Sequence, residues 1–269
     1  MHATRRVAAL GGVSYDHCMP AAQRQKAIDR VSSDVSAAFG ARLVCLALYG
    51  SGVGQDFNPR ASDLNFAIVL DRVDVGDLRR FHHWLPAWHR LGVATPLLID
   101  RDFLRRARDV FPIELEDIRG AHRILAGEDV FSGIEVAAED LRRELEQEAR
   151  GKLLRLCVGY AETGGRKRDI EELMVQSVKS FAVIMRGVLR LRTGDAPPGL
   201  ELTIASFEQS SAQEFPAMLR AARVKLATAA WDGDAESRFA AYLCEVERLV
   251  GVVDQLYDSA SKPGDDARL

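Results

Sequence analysis

An α/β domain with a small mixed sheet, followed by an all-helical bundle, is the architecture the sequence predicts. Three observations carry that expectation. Two continuous apolar runs, RLVCLALYG and LNFAIVL, stand close together in the first half; each is too short for a typical helix and suits a strand covered on both faces. Strand-like and helix-like stretches alternate as far as about residue 136. Beyond that point the texture is helical only, opening with EDLRRELEQEARGKLLRLCVGYAE, where Leu141, Leu145, Leu153 and Leu156 recur among charged residues.

The chain opens on MHATRRVAALGGVSYDHCMP, two arginines and then a weakly apolar run broken by Gly-Gly, which is too short at its centre for a signal peptide. Residues 1–18 are therefore expected to be a loose leader on a cytoplasmic protein. MPAAQRQKAIDRVSSDVSAAFGARL predicts a helix, with Ala27, Val31, Val35 and Phe39 at helical spacing and Gly40 as its stop. The two apolar strands follow, separated by a polar loop. VGDLRRFHHWLPAWHRL predicts a helix interrupted at Pro86, and VATPLLID a third strand. After Asp100 comes a short helical piece, RDFLRRARDVF; then PIELEDIRGAHRILAGEDVFSGIEV, turning at Gly127 and Gly133, closes a first domain of residues 19–136. The bundle is expected over 137–258. DIEELMVQSVKSFAVIMRGVLRLR is its long apolar helix, Pro197 and Pro198 break the chain, and PAMLRAARVKLATAAW and ESRFAAYLCEVERLVGVVDQLYD supply two more helices. The polar residues 259–269 are expected to be disordered.

Composition narrows the function classes. Among 269 residues, 28% are charged and 47% hydrophobic, with a net charge of -3, so the chain as a whole gives no reason to expect a nucleic-acid partner. No window approaches the roughly 20 uninterrupted apolar residues of a membrane span. Cys18, Cys45, Cys157 and Cys244 form no CxxC pair and are expected to be buried thiols of a reducing compartment.

The loop between the first two strands carries the chemistry. LYGSGVGQDFNPRASDLNFAIVL places Gly50-Ser51 directly after one strand and Ser62-Asp63-Leu64-Asn65 at the start of the next. Alternate strand residues share a face, so positions 63 and 65 project to one side, where two acids could grip magnesium for an in-line phosphoryl displacement. Gly50 allows close backbone approach to a triphosphate, and the Ser51 hydroxyl and nearby N–H groups can donate to phosphate oxygens. The glycines of GSGVG are wrongly spaced for a dinucleotide fingerprint, and a loop with Pro59 follows them in place of a helix.

On YGS, SDLN and the spacer between them, the chain resembles the nucleotidyltransferase fold of the DNA polymerase beta superfamily. The likeness in motifs covers roughly residues 43–136; the helical half is similar in architecture to the bundles appended to small-molecule and antibiotic nucleotidyltransferases. The resemblance implies that Gly50, Ser51 and Ser62 hold a nucleoside triphosphate and that Asp63 and the residue at 65 bind Mg2+. It implies a small-molecule or protein acceptor. Position 65 departs from the pattern, because it is Asn65 where the family has its second acid, and the third strand has no acid inside VATPLLI. Asp100, at that strand's end, reads better as the N-cap of the next helix. Asp56, in the spacer, reads as solvated.

Within the bundle, Lys152, Lys179 and Arg186 are the candidates for reaching an anion, and Lys179, in an otherwise apolar helix, is the phosphate-site choice. His82, His83 and His89 share a helix with Trp84 and Trp88 but lack metal-site spacing; packing of the tryptophans on the sheet is expected. Arg101, Arg105, Arg106 and Arg108 read as a solvated face, and His122 as structural. Two functions follow: magnesium-dependent nucleotidyl transfer, weakened or lost through Asn65, or a non-catalytic nucleotide-sensing or protein-interaction module on the same fold. Homo-oligomerisation is left open.

Overall fold

The computed structural model describes residues 21–53 and 63–258. The expected leader and tail, Cys18, and the spacer with Asp56 and Ser62 lie outside those residues. The first helix, α1 (Ala21–Phe39), buries Ala27, Val31, Val35 and Phe39, the spacing that predicted it. Gly40 ends it at a positive φ of 48°, and a 3-10 turn leads into β1 (Leu43–Tyr49).

β1 pairs antiparallel with β2 (Asn65–Leu70), which pairs parallel with β3 (Leu97–Asp100). A fourth strand, β4 (His122–Gly127), adds antiparallel to the other side of β1, giving the order β3-β2-β1-β4. The sequence did not single out β4, an edge strand whose residues are only partly buried and mix His122 and Arg123 with Ile124 and Leu125. Gly127 closes β4 because nothing larger fits. Its φ is 80°, and a Cβ there would stand 2.1 Å from the Val44 carbonyl oxygen.

The sheet is covered on both faces, as the unbroken apolar runs require. Leu46, Leu48, Phe66, Ile68 and Leu70 face α1 and α2 (Val75–Arg90). Cys45, Ala47, Ala67 and Val69 face the other way, against α3 (Arg101–Arg106) and α4 (Pro112–Gly120). Helix α2 runs through Pro86 without interruption, contrary to expectation. Phe81, Trp84 and Trp88 pack edge-on and stacked against one another, Phe81 and Trp84 meet Phe39 of α1, and Trp88, fully buried, donates to Asp34 at 2.9 Å, so contacts with α1 hold the turns on either side of the proline. Asp100 is the N-cap of α3 and accepts from the Phe103 N–H at 2.8 Å. Helix α4 also escaped the sequence reading; Pro112 takes its first position, and the Ile113 N–H donates at 2.7 Å to Glu144 from the next helix.

Five helices follow: α5 (Ala138–Thr163), α6 (Lys167–Thr193), α7 (Leu200–Ser211), α8 (Pro216–Lys225) and α9 (Ala235–Asp258). Helix α7, in the stretch after the double proline, was not expected. A single core joins them, with Phe181, Phe207, Phe215 and Tyr242 fully buried, and Ile113 of α4 belongs to it, which anchors the sheet half on the helical half. Helix α8 begins as α4 does, with Phe-Pro and a glutamate from another helix: Glu245 accepts from Ala217 and Met218, both at 2.8 Å. Two cysteine expectations are corrected. Cys45 is buried, but Cys157 and Cys244 are exposed, since both lie on helix faces turned away from the bundle core. Among the described residues no helix is long and apolar enough to cross a membrane.

Candidate functional site

Register places the site at one end of the sheet. Tyr49, the last residue of β1, pairs with Asn65 of β2 on one side and His122 of β4 on the other. The chain then turns. Gly50 takes a φ of 70°, its N–H donates to the Ala121 carbonyl at 2.8 Å, and residues Gly50–Gly52 make a 3-10 turn closed by Val53 N–H to the Gly50 carbonyl at 3.0 Å. That positive φ is the reason for glycine, and a Cβ at Gly50 would lie 3.6 Å from the Asn65 amide nitrogen, so turn and side chain are neighbours. The Arg24 guanidinium, from α1, donates to the Gly52 carbonyl.

Asn65 shares its face with Ala67 and Val69, the face turned toward α4. It therefore opens into a cleft of about 450 Å3 between the sheet and the bundle. Tyr49, Gly50, Ser51 and Asn65 form the sheet wall, Asp117 of α4 the floor between the halves, and Lys179, Val183 and Arg186 of α6 the opposite wall. The stretch from Pro198 to Leu202 and the end of α8 with Lys225, Leu226 and Thr228 complete it.

The cleft carries more free cation than free anion. Asp117 accepts from Arg186 at 3.2 and 2.9 Å and from Arg190 at 2.5 Å. Burial alone would raise its pKa; the two guanidiniums outweigh burial and hold it below the ordinary aspartate value. Lys179 is different: among the described residues it makes no hydrogen bond or ion pair. Burial pushes its ammonium below the ordinary lysine value and Arg186 adds to that, while the Asp63 and Asp117 carboxylates act against it. Lys225 donates to the Val175 carbonyl at 3.3 Å and is lowered in the same way, by burial and then by Lys179. Tyr49 is raised, first by burial and then by Asp117 and Glu114, so it stands there as a neutral phenol.

Four sequence-predicted site residues, Gly50, Ser51, Asn65 and Lys179, line this one cleft, although Lys179 is 114 positions away from Asn65 in the chain. Asp63 is exposed and does not line it, yet its charge acts on both Lys179 and Lys225. Ser62 lies outside the described residues. Lys152 is elsewhere, paired with Glu148, whereas Arg186 is at the site but is committed to Asp117. The sequence reading missed Tyr49, Asp117 and Lys225. Asp117 sits in the helix it left unassigned, and Lys225 at the end of an amphipathic one, where a lysine is unremarkable. His122 is structural as expected, bonded to the Ile118 carbonyl at 3.0 Å and to Asp129 at 3.2 Å.

The donor chemistry was tested against magnesium. Hard divalent cations beside a triphosphate draw on carboxylate charge. Here the described residues present Asp63, the neutral Asn65 amide and an Asp117 already bonded to two arginines, and no group of three or more His, Cys, Asp or Glu gathers at one point. That set does not fit a protein-held pair of ions.

Sheet order, the glycine turn after β1 and the appended helices together define a nucleotidyltransferase-like fold. Across 86% of its length the chain superimposes on 99% of spectinomycin adenyltransferase AAD(9) from Enterococcus faecialis, in a crystal structure with ATP and spectinomycin. The TM-score is 0.59 and the sequence identity 14%. No protein-family model matches the chain, and no curated protein matches it significantly.

Proposed function

We propose that this protein binds a nucleoside triphosphate in the cleft between sheet and bundle, and that nucleotidyl transfer from it is weak or lost. The observation that carries the reading is Lys179, a half-buried lysine with no hydrogen bond or ion pair among the described residues, in the same cleft as the Gly50-Ser51 turn. An uncompensated buried charge is costly, and a bound phosphate relieves that cost. Gly50 and Ser51 hold one end of the phosphate chain with backbone N–H groups and a hydroxyl, Ser62 adds a second hydroxyl, and Lys179 meets it from the bundle. The neighbouring fold solved with ATP supports the choice of ligand class.

Support for weakened transfer comes from the donors. Asp63 is the sole carboxylate of the pattern, Asn65 adds no charge, and β3 has no interior acid. A single ion carried in on the triphosphate would have only Asp63 and the neutral Asn65 amide to hold it on this side. Loss of metal-borne charge stabilisation costs several kcal/mol at the transition state, about a thousandfold in rate. The acceptor, when transfer occurs, is a small molecule or a protein side chain. Spectinomycin, bound by the neighbouring fold, is one acceptor to assay.

The test is calorimetric titration of ATP, GTP, CTP and UTP into the purified protein, with magnesium and with EDTA. At least one triphosphate is expected to bind in both conditions, and more tightly with magnesium. Absence of binding by all four overturns the reading and leaves the cleft as a scaffold feature.

A further inference from the structure

We infer that the part of the cleft beyond the triphosphate turn takes an organic anion, an apolar body ending in a carboxylate or phosphate, with Lys225 as its counter-charge. The inference rests on the reading of the Gly50-Ser51 side of the cleft as the triphosphate site and names the chemical class of its second ligand.

The argument begins with what the wall offers a cation. Two carboxylates line the cleft among the described residues, and each is already held by arginine: Asp117 by Arg186 and Arg190, and Glu201 by Arg223 at 3.0 Å. A polyamine entering here would meet no free acid on the lining and would face Lys179, Lys225 and Arg186, a repulsive arrangement in a partly desolvated space. The two arginine partnerships thus remove the negative charge a cationic ligand requires.

What the wall offers an anion is the reverse. Lys225 has a backbone carbonyl as its hydrogen-bond partner, at 3.3 Å, and is in no ion pair among the described residues. One acceptor leaves two of the three ammonium donors open. Burial and then the nearby Lys179 disfavour its charged form more than the Glu172 and Asp63 carboxylates favour it, and an arriving anion would shift that balance toward the ammonium. Leu200, Leu202 and Leu226 line the same cleft, and Leu202 keeps 52% of its surface exposed, which leaves apolar area for a ligand to cover. An apolar surface beside an ammonium with no ion-pair partner among the described residues fits a ligand with a hydrophobic body and one anionic end.

Three probes with a shared phenyl ring separate the classes: benzoate, phenyl phosphate and benzylamine, each titrated by calorimetry into the full chain without ATP and again with ATP at saturation. Benzoate or phenyl phosphate is expected to bind in both conditions, and benzylamine in neither. Which of the two anions is tighter identifies the head group. Lys225→Gln should weaken the anion at least tenfold while the ATP affinity stays within twofold, and Lys225→Arg should restore most of the loss. Benzylamine binding as tightly as the anions overturns the inference, as does failure of both anions to bind. Displacement of the anion by ATP, or a loss of ATP affinity in Lys225→Gln, overturns it as well, because Lys225 would then belong to the triphosphate. Anion binding in a protein that takes no triphosphate leaves this inference standing and fells the reading it was built on.

Discussion

The two walls of the cleft differ in what they contribute. The sheet wall is a matter of backbone: Gly50 at its positive φ, the turn through Gly52, and a strand end whose second acid position is Asn65. The helical wall is a matter of charge, since Lys179, Arg186 and Lys225 all come from α6 and α8. In a two-metal enzyme the charge that holds phosphate is carried by ions on the sheet side. Here the fixed side-chain cations of the cleft stand on the other side, among the described residues. The difference teaches that shape and charge in one cleft can come from separate parts of a chain.

The strongest way to break the comparison is to remove the residue between the walls. Asp117→Ala leaves Arg186 and Arg190 unpaired at 13% and 7% side-chain exposure, and about 3 kcal/mol of stability should be lost, read by denaturant unfolding. An unchanged midpoint would show that the two arginines find other partners and do not depend on Asp117.

Next in size is the helical wall alone. Lys179→Gln should lower triphosphate affinity about tenfold with little change in stability, since about 1.4 kcal/mol is a modest share of a charge-assisted phosphate contact. If affinity holds, the site's charge lies elsewhere and the comparison fails.

The contact between the halves should also answer to pH. Glu144 caps α4 from α5, and its carboxyl is pushed up to about 7 by burial first and by Glu114 and Glu148 after it. The folded chain keeps this proton to about pH 7, while the unfolded chain releases it near the ordinary value of 4.5, so stability falls as pH rises across that window and is level above it. For a group only half-buried, solvent screening limits the contribution to about 1 kcal/mol. Glu144→Gln keeps an acceptor for the Ile113 N–H and should flatten the slope between pH 4.5 and 7 in thermal unfolding.

The smallest effect sharpens the sheet wall. Asn65→Asp restores the missing charge, and triphosphate affinity should rise about threefold in magnesium and not in EDTA. A rise in both conditions would mean that the change acts through something other than an ion.

Where the sequence was silent, the reasons are local. Helix α4 and strand β4 escaped because PIELEDIRGAHRILAG mixes charge and apolar residues with neither period sustained, and each element depends on a partner: α4 on Glu144, β4 on β1. Pro86 was read as a break because propensity is local, whereas Phe81, Trp84 and Trp88 hold the path of α2 through their contacts with Phe39 and Asp34 of α1. Cys157 misled because an apolar neighbourhood in sequence includes residues on both faces of a helix.

Apolar runs and their spacing determined the class of fold, the two covered strands, α1 and the long helices, because burial needs are written into periodicity. The sequence also determined the Gly50-Ser51 turn and the departure at Asn65, which are contiguous with those strands. Tertiary structure alone decided which cations face that turn, that Asp117 is occupied by two arginines and Glu201 by a third, and that Lys225 is left over. The pairing of Asp117 with Arg190, 73 positions away, follows from how the helices dock on one another, and no local pattern encodes it.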